Sequence, residues 1–135
     1  MESAEKSISK MELDSLTESI IGAAIEVHRE LGPGLLESLY ERALSLELQS
    51  RGIPCEQQVY LPVHYKGQEL PGNLRIDLLV AGMVIVEIKA VDALLPVHEA
   101  QLLSYLRLAD LRVGLLMNFH ALVLKQGLKR LVNRI

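Results

Sequence analysis

The chain of 135 residues contains a single cysteine, Cys55, which excludes an internal disulfide bond and any metal site built from several cysteines. No apolar run approaches the roughly 18 residues that a membrane-spanning helix requires. The sequence also lacks the patterns G-x-x-x-x-G-K-[ST], G-x-G-x-x-G and G-x-S-x-G. Nucleotide hydrolysis by a P-loop, dinucleotide binding and serine hydrolase chemistry therefore have no support.

The amino-terminal residues 1–14 are polar and acidic, whereas a secretory signal begins with a basic region followed by an apolar one. Together with the lone cysteine, this composition predicts a cytoplasmic protein with no membrane partner. Half of the residues are apolar, and a chain of this length buries roughly two-thirds of its unfolded surface. We therefore expect a flexible segment over 1–14 and one folded domain over 15–135.

An excess of basic residues is missing as well, because the formal net charge is −3. This balance argues against a general nucleic-acid binder, whose affinity comes from Lys and Arg on phosphates. The charge is unevenly distributed: residues 1–60 hold eleven acidic and five basic residues, whereas 104–135 hold one acidic and six basic residues. Two interpretations stay open for the basic end, contact with phosphates or neutralisation of the acidic amino-terminal helix. Under the first, Lys129 and Arg130 are candidate nucleic-acid contacts.

Hydrophobic periodicity predicts two helices near the amino terminus, the first beginning at about Ser15 as its N-cap. Pro62 indicates that the extended segment after them is an edge strand. The last sixteen residues are compatible with either strand or helix. The predicted order is α-α-β-β-β-α-β, over about 15–31, 36–50, 55–65, the two strands within 74–90, 97–108 and 111–119.

The segment Leu74–Ala90 is apolar except for Arg75 and the three ionic residues Asp77, Glu87 and Lys89. Apolar runs on either side of residues 81–83 predict a β-hairpin, with the central glycine supplying the positive φ of the turn. A three-residue turn places Asp77 opposite Glu87, and Lys89 shares their face because strand side chains alternate. The hairpin therefore gathers three ionic side chains on one face.

Two facing carboxylates repel each other, and burying either without a partner is costly. A divalent cation such as Mg²⁺ or Mn²⁺ fits between them, since Mg²⁺ is commonly held by one or two carboxylates together with water and phosphate oxygens. The alternative is that Lys89 neutralises Asp77 and Glu87 in a structural ion pair.

Asp77 followed ten residues later by Glu87-Ile88-Lys89 resembles the active-site signature of the PD-(D/E)XK nuclease superfamily. The stretch 34–40 is similar to the G-x-x-E-x-x-Y motif of the GxxExxY protein family within it. The name of the superfamily begins with proline, whereas Ile76 precedes Asp77, at a position that varies among members. The resemblance covers about residues 15–134, with further similarity in Ala23–Gly34, Gln101-x-x-x-Tyr105, Asn118-Phe119 and Gly127–Arg130.

This resemblance implies an α/β (α+β) fold with a restriction-endonuclease-like αβββαβ core, a central mixed sheet flanked by helices, and an extra or divided amino-terminal helix. It implies that Asp77 and Glu87 bind a catalytic metal and that Lys89 is catalytic. Glu37 matches the acidic residue that many members add from the first core helix. Gln101 and Tyr105 match the Q-x-x-x-Y pattern of the recombination-exonuclease branch.

Several of these residues also have structural interpretations. Gln101 and Tyr105 are four apart, so they can form a hydrogen-bonded couple on one helical face. Tyr40 can be a core residue with a hydrated hydroxyl, and Glu37 can serve the helix dipole in the first turn. His28, within a turn of the Gly-Pro-Gly segment, can support the site or simply lie in the core or on the surface.

We therefore expect a Mg²⁺- or Mn²⁺-dependent nuclease whose metal ligands are Asp77, Glu87 and Glu37. Lys89 and Gln101 complete its catalytic set. Tyr40, Tyr105 and His28 are expected to support this set. Two alternatives are a non-catalytic interaction module with a nuclease-like fold and a metal-dependent hydrolase of a small phosphorylated molecule. The small domain leaves little surface for gripping a duplex, so we also expect a homodimer or a larger partner protein.

Overall fold

The structure, a computed structural model, describes residues 8–134. The first seven residues of the predicted amino-terminal segment lie outside the described residues. The three helices are α1 (Lys10–Leu31), α2 (Glu37–Ser50) and α3 (Pro96–Ala109). The strands are β1 (Cys55–Tyr60), β2 (His64–Tyr65), β3 (Gln68–Glu69), β4 (Arg75–Val80), β5 (Val84–Lys89), β6 (Val113–Asn118) and β7 (Leu128–Val132).

The predicted start of the first helix at Ser15 is wrong by five residues, because α1 begins at Lys10. Its N-cap is Ser9, whose side chain accepts a hydrogen bond from the backbone of Glu12 while the Glu12 carboxylate accepts one from the backbone of Ser9. This is a capping box, the same Ser-x-x-Glu pattern that occurs again at Ser15. The helix therefore begins at the first of two matching Ser-x-x-Glu positions, and not at the second.

Five strands form one mixed sheet in the order β1-β4-β5-β6-β7. The pair β5–β6 is parallel and is connected through α3, whereas the other neighbouring pairs are antiparallel. The central strand β5 is apolar except for Glu87 and Lys89 and is buried on both faces, as expected for a strand covered by helices. The strands β2 and β3 form a separate small hairpin between β1 and β4.

Each face of the sheet carries a hydrophobic cluster. Leu78, Val86 and Ile88 pack on the face covered by α1 and α2, together with Ile20 and Leu44 from those helices. The other face, covered by α3, holds a smaller cluster of Leu61, Ile76, Ile85, Leu102, Tyr105, Leu106 and Leu116. The two clusters fix α2 and α3 on opposite sides of β5.

The edge pair β1–β4 is interrupted at one position. Gln57 pairs with Leu78 and Val59 with Ile76, but Gln58 lies between them with a φ of 52°. Leu78 packs against the α1 and α2 side, whereas Val59 and Ile76 pack on the α3 side. The faces of both strands therefore exchange at this point.

The αβββαβ core and the flanking helices are confirmed, with α1 as the extra amino-terminal helix. The carboxy-terminal segment that the sequence left open forms a 3₁₀ helix, Leu124–Gly127, followed by strand β7. In the described part of the chain, no helix combines the length and hydropathy required to cross a bilayer.

Gly127 is required by close packing of the 3₁₀ helix against the end of β6. A Cβ atom at this position would lie 2.6 Å from the backbone oxygen of Asn118, an atom that a side-chain rotation does not move away. We expect Gly127→Ala to lower the free energy of unfolding by about 1–3 kcal/mol, measured by urea titration. Gly72→Ala is the matched control, because a Cβ there meets nothing within 4 Å. Equal stability of the two variants would contradict the described packing.

Candidate active site

The predicted three-residue turn of the hairpin is confirmed, since Val80 pairs with Val84 on either side of residues 81–83. The ladder of β4 and β5 continues to Leu78 and Val86. Beyond it, the backbone N–H of Asp77 donates to Glu87 Oε2 at 2.9 Å, and the N–H of Ile88 donates to Asp77 Oδ2 at 2.9 Å. Each carboxylate thus accepts a hydrogen bond from the backbone of the neighbouring strand.

Helix α2 adds two carboxylates to this pair. Glu37 Oε2 accepts a hydrogen bond at 3.0 Å from the backbone N–H of Ala90, the residue after Lys89. Glu41 Oε1 accepts one from Gln58 Nε2 at 2.8 Å, and the same amide donates to Asp77 Oδ1 at 3.3 Å. The amide of Gln58 therefore connects the helix to the hairpin.

Glu41 and Gln58 were missed by the sequence interpretation. Glu41 has a recognisable signal, because it lies four residues after Glu37 and therefore on the same helical face. Gln58 has no such signal in the sequence, because the position of its side chain depends on a positive φ within a strand. A residue with this conformation is uncommon outside glycine, asparagine and aspartate.

The carboxylates sit in an environment that disfavours negative charge. Glu87 is only 4% exposed, and its burial, together with the nearby negative charge of Asp77, raises its pKa to about 8. Burial also raises the pKa of Asp77, against the opposing effect of the Ile88 N–H. The pKa of Glu41 is likewise raised by burial. Without an added cation, this cluster retains a proton at neutral pH.

Helix α3 supplies the opposite wall. Lys89 Nζ donates to Gln101 Oε1 at 3.4 Å, and Gln101 Nε2 donates to the Tyr105 hydroxyl at 3.2 Å. Burial and then the negative charges of Glu87 and Asp77 raise the pKa of Tyr105. The predicted residues Asp77, Glu87, Lys89, Gln101, Tyr105 and Glu37 are therefore brought together around the end of the hairpin.

Among the described residues, Tyr40 and His28 form their hydrogen bonds with loop backbone and not with the acidic side chains of the site. The Tyr40 hydroxyl donates to the carbonyl of Gly32 and accepts from the N–H of Leu35, and its ring stacks on Phe119 at 4.6 Å between centroids. His28 Nε2 lies 2.8 Å from the carbonyl oxygen of Ala121. Both residues thus contact loops, and any effect on the site passes through the backbone.

The backbone connection runs through the end of β6. The N–H of Phe119 donates to the carbonyl of Lys89 at 2.9 Å. The side chain of Asn118 accepts from the N–H of Val91 at 3.1 Å and donates to its carbonyl at 2.9 Å. Asn118 therefore fixes the chain just after Lys89. Its role is visible only in the structure, although the resemblance included its position.

The two proposed nucleic-acid contacts on β7 are engaged in ion pairs. Arg130 contacts Asp14 of α1 at 2.8 Å, and Lys129 lies 3.9 Å from Glu99 of α3. The contact of Arg130 matches the alternative in which the basic end neutralises the acidic first helix. Both pairs are partly exposed, so each contributes little to stability and can exchange for another anion.

Among residues 8–134, no three His, Cys, Asp or Glu side chains are arranged as a ready-made metal site. Mg²⁺ needs fewer protein ligands, because water and substrate phosphates complete its coordination. The neighbouring carboxylates of Asp77 and Glu87 have the chemistry that this ion prefers, and burial raises the pKa of both, so a bound positive charge would favour their ionised forms. The residues present therefore fit a divalent cation held by the hairpin pair.

A family model of the PD-(D/E)XK nuclease superfamily matches residues 14–131, nearly the whole chain. The chain therefore belongs to this superfamily, whose nucleases are generally dependent on divalent metal ions. No curated protein and no solved structure matches it significantly.

The raised pKa of Glu87 gives the metal-free protein a specific pH dependence. The folded state holds the Glu87 proton up to about pH 8, whereas the unfolded state releases it near the ordinary value of 4.5. Its stabilising contribution is therefore present at low pH and is lost as pH rises towards 8. Relative to Glu87→Gln, the wild type should lose roughly 2–5 kcal/mol between pH 5 and 8.5, measured by urea unfolding in EDTA.

The control for this comparison is Glu56→Gln, which removes an exposed carboxylate of β1. Its stability should follow that of the wild type across the same pH range. Parallel pH curves for the wild type and Glu87→Gln would contradict the described burial of Glu87.

Proposed function

We propose that the chain is a Mg²⁺- or Mn²⁺-dependent nuclease that hydrolyses phosphodiester bonds in nucleic acid. The observation that carries this proposal is the pairing of Asp77 with Glu87 beside Lys89, on a chain of the nuclease superfamily. Two carboxylates with raised pKa values and a neighbouring ammonium group form a centre that can bind both a cation and a phosphate.

In this proposal, Asp77 and Glu87 hold the cation, and Glu37 is the third candidate ligand. When bound, such a cation lowers the pKa of a coordinated water and neutralises charge on the scissile phosphate. Lys89 orients the attacking water or a phosphate oxygen. Gln101 holds the Lys89 ammonium through its carbonyl oxygen, and Tyr105 holds the amide group of Gln101.

Glu41 extends the acidic wall on the α2 side. It lies one helical turn from Glu37 and shares the amide of Gln58 with Asp77. This amide keeps two carboxylates at a fixed distance while donating to both. We propose that Gln58 is a positioning residue for Asp77 and that Glu41 keeps Gln58 in place.

We further propose membership of the GxxExxY protein family, because its motif positions have distinct structural tasks here. Gly34 has a φ of 103°, which favours glycine, at the turn before α2. Glu37 contacts the backbone of Ala90, and Tyr40 joins the two ends of the turn through Gly32 and Leu35. The motif thus positions α2 against the end of β5.

The second candidate is a non-catalytic interaction module. The observation that favours it is that Asp77, Glu87 and Glu37 all accept hydrogen bonds from backbone N–H groups, as structural carboxylates do. The two candidates differ in their response to neutral substitutions. A structural cluster is weakened by Asp77→Asn, whereas a cation site without its cation is relieved of repulsion.

We propose a cytoplasmic setting and association as a homodimer or with a larger partner protein. An apolar cleft of about 410 Å³ between the end of α1 and the 3₁₀ helix supports association. Leu122 beside it is 82% exposed. If this cleft is the contact, Leu122→Glu should lower the sedimentation-derived mass to that of the monomer. If the wild-type protein is monomeric at all concentrations, the homodimer is excluded and association with a larger partner protein remains as the proposal.

Calorimetric titration of Mn²⁺ tests the proposed cation site. The wild type and Glu56→Gln should bind the ion, whereas the double variant Asp77→Asn with Glu87→Gln should release no binding heat. Lys89→Met should still bind Mn²⁺ but should cleave nucleic acid roughly 100-fold more slowly or worse, because the orienting ammonium is lost. Binding by the double variant would contradict the ligand assignment, and a folded wild type that binds neither ion nor nucleic acid would favour the interaction module.

A further inference from the structure

An exposed aromatic side chain lies next to the candidate active site. Tyr60, the last residue of β1, is 40% exposed and pairs across the sheet with Arg75 of β4. Arg75 stands two residues before Asp77, or about 7 Å along an extended strand. A group bound against Tyr60 is therefore within reach of a chain that passes the acidic cluster.

Tyr60 lines a cleft of about 320 Å³. The other walls come mainly from Leu61 and Val63 and from the loop 70–74, whose Leu70 is 43% exposed. The volume lies at the lower end of the range for small-molecule pockets, and the walls are largely apolar. A planar ring system of the size of a nucleobase, with its apolar faces, fits within this volume.

Side-chain contacts hold the edge of the cleft in a defined arrangement. The Tyr60 hydroxyl donates to Glu69 Oε2 at 2.7 Å. The guanidinium carbon of Arg75 lies 5.3 Å from the centroid of the Tyr60 ring, and Arg75 Nε donates to Asn73 Oδ1 at 3.0 Å. The ring is thus oriented by Glu69 and Arg75, and Arg75 is an exposed cation beside this lining residue of the cleft.

This arrangement combines the two contacts that bind single-stranded nucleic acid, an aromatic face for a base and a cation for its phosphate. A base within a duplex is stacked between its neighbours and does not present its face to such a cleft. The net charge of −3 also leaves little capacity for gripping duplex phosphates, so contacts with bases have to supply much of the affinity.

Resting on the proposed nuclease function, we infer that the cleft beside Tyr60 binds an unpaired nucleobase while Arg75 binds the adjoining phosphate. The substrate is then single-stranded nucleic acid, or nucleic acid with an unpaired segment next to the scissile bond. The same chemistry serves DNA and RNA, because both present a base face and a phosphate.

Binding of fluorescein-labelled oligonucleotides, followed by anisotropy in EDTA, tests this inference without any need for cleavage. The probes are a single-stranded DNA, its RNA counterpart, the same DNA as a duplex, and the single strand with abasic residues. The wild type should bind either single strand at least about 10-fold more tightly than the duplex or the abasic strand. Tyr60→Ala should lose about 10-fold in affinity for the single strand, whereas Tyr60→Phe should retain it.

Tyr65 offers a matched control. It is 60% exposed, and its ring also has a neighbouring cation, Lys66, at 5.4 Å. Because His64 pairs with Glu69, side-chain alternation turns Tyr65 to the opposite face of the small hairpin from Glu69. Tyr65→Ala should therefore bind like the wild type. Arg75→Gln should weaken binding of the single strand. It should also reduce the slope of log affinity against log salt concentration by about one, as expected for the loss of one phosphate contact.

The outcomes separate this inference from the function on which it rests. If wild-type protein prefers the duplex, or binds the abasic strand as tightly as the intact one, the inference is wrong and the nuclease proposal stands. The same holds if Tyr60→Ala folds and binds like the wild type. If Tyr60→Ala does not fold, the abasic comparison on wild-type protein decides. If the wild type binds no oligonucleotide in EDTA, the inference is wrong, and the Mn²⁺ titration with the cleavage assay of Lys89→Met decides the nuclease proposal separately.

Discussion

The exchange of hydrogen bonds between Asp77 and Glu87 and the backbones of their neighbouring strands governs the geometry of this domain. It lets two carboxylates lie side by side in a place with little water, where an unpaired charge is strongly disfavoured. The exchange takes the place of the regular ladder at the end of the hairpin. At the same level of the sheet, the exposed edge pair β1 and β4 exchanges its faces at Gln58 and Asp77. The helices on either side then supply acids from α2 and an amide from α3.

The hairpin and its three ionic residues were predictable because their signal is local. An apolar segment interrupted by a few charges, with a turn of known length, specifies the register of the hairpin and the face that Glu87 and Lys89 share. The couple of Gln101 and Tyr105 was predictable for a similar reason, since four residues on a helix make one turn. Glu41 was predictable by the same rule, because it lies four residues after Glu37 and therefore on the same helical face.

Other features depend on contacts between segments that the sequence does not bring together. The positive φ of Gln58 accompanies contacts of its side chain with Glu41 of α2 and Asp77 of β4, which are distant in sequence, so no pattern near Gln58 indicates it. The early start of α1 was missed because two Ser-x-x-Glu patterns follow each other, and local propensity does not choose between them. The ion pair of Arg130 with Asp14 joins the two ends of the chain, and composition alone left it as one of two alternatives. Tyr40 and Asn118 position backbone around the site, which a motif match does not distinguish from direct contact with a substrate.

The turn at residues 81–83 sets the spacing between the first carboxylate and the second. Surface turns ordinarily accept inserted residues at low cost. Here the turn determines which residue of β5 faces Asp77, and side chains alternate at every step along a strand. One inserted residue that β5 absorbs by slipping would send Glu87 and Lys89 into the core beneath α1 and α2 and turn Ile88 towards the site. The length of this turn is therefore constrained by chemistry at the far end of the hairpin, while its composition is constrained locally, by the positive φ values of Ala81 and Gly82 and by the packing of Ala81 and Met83 against the core.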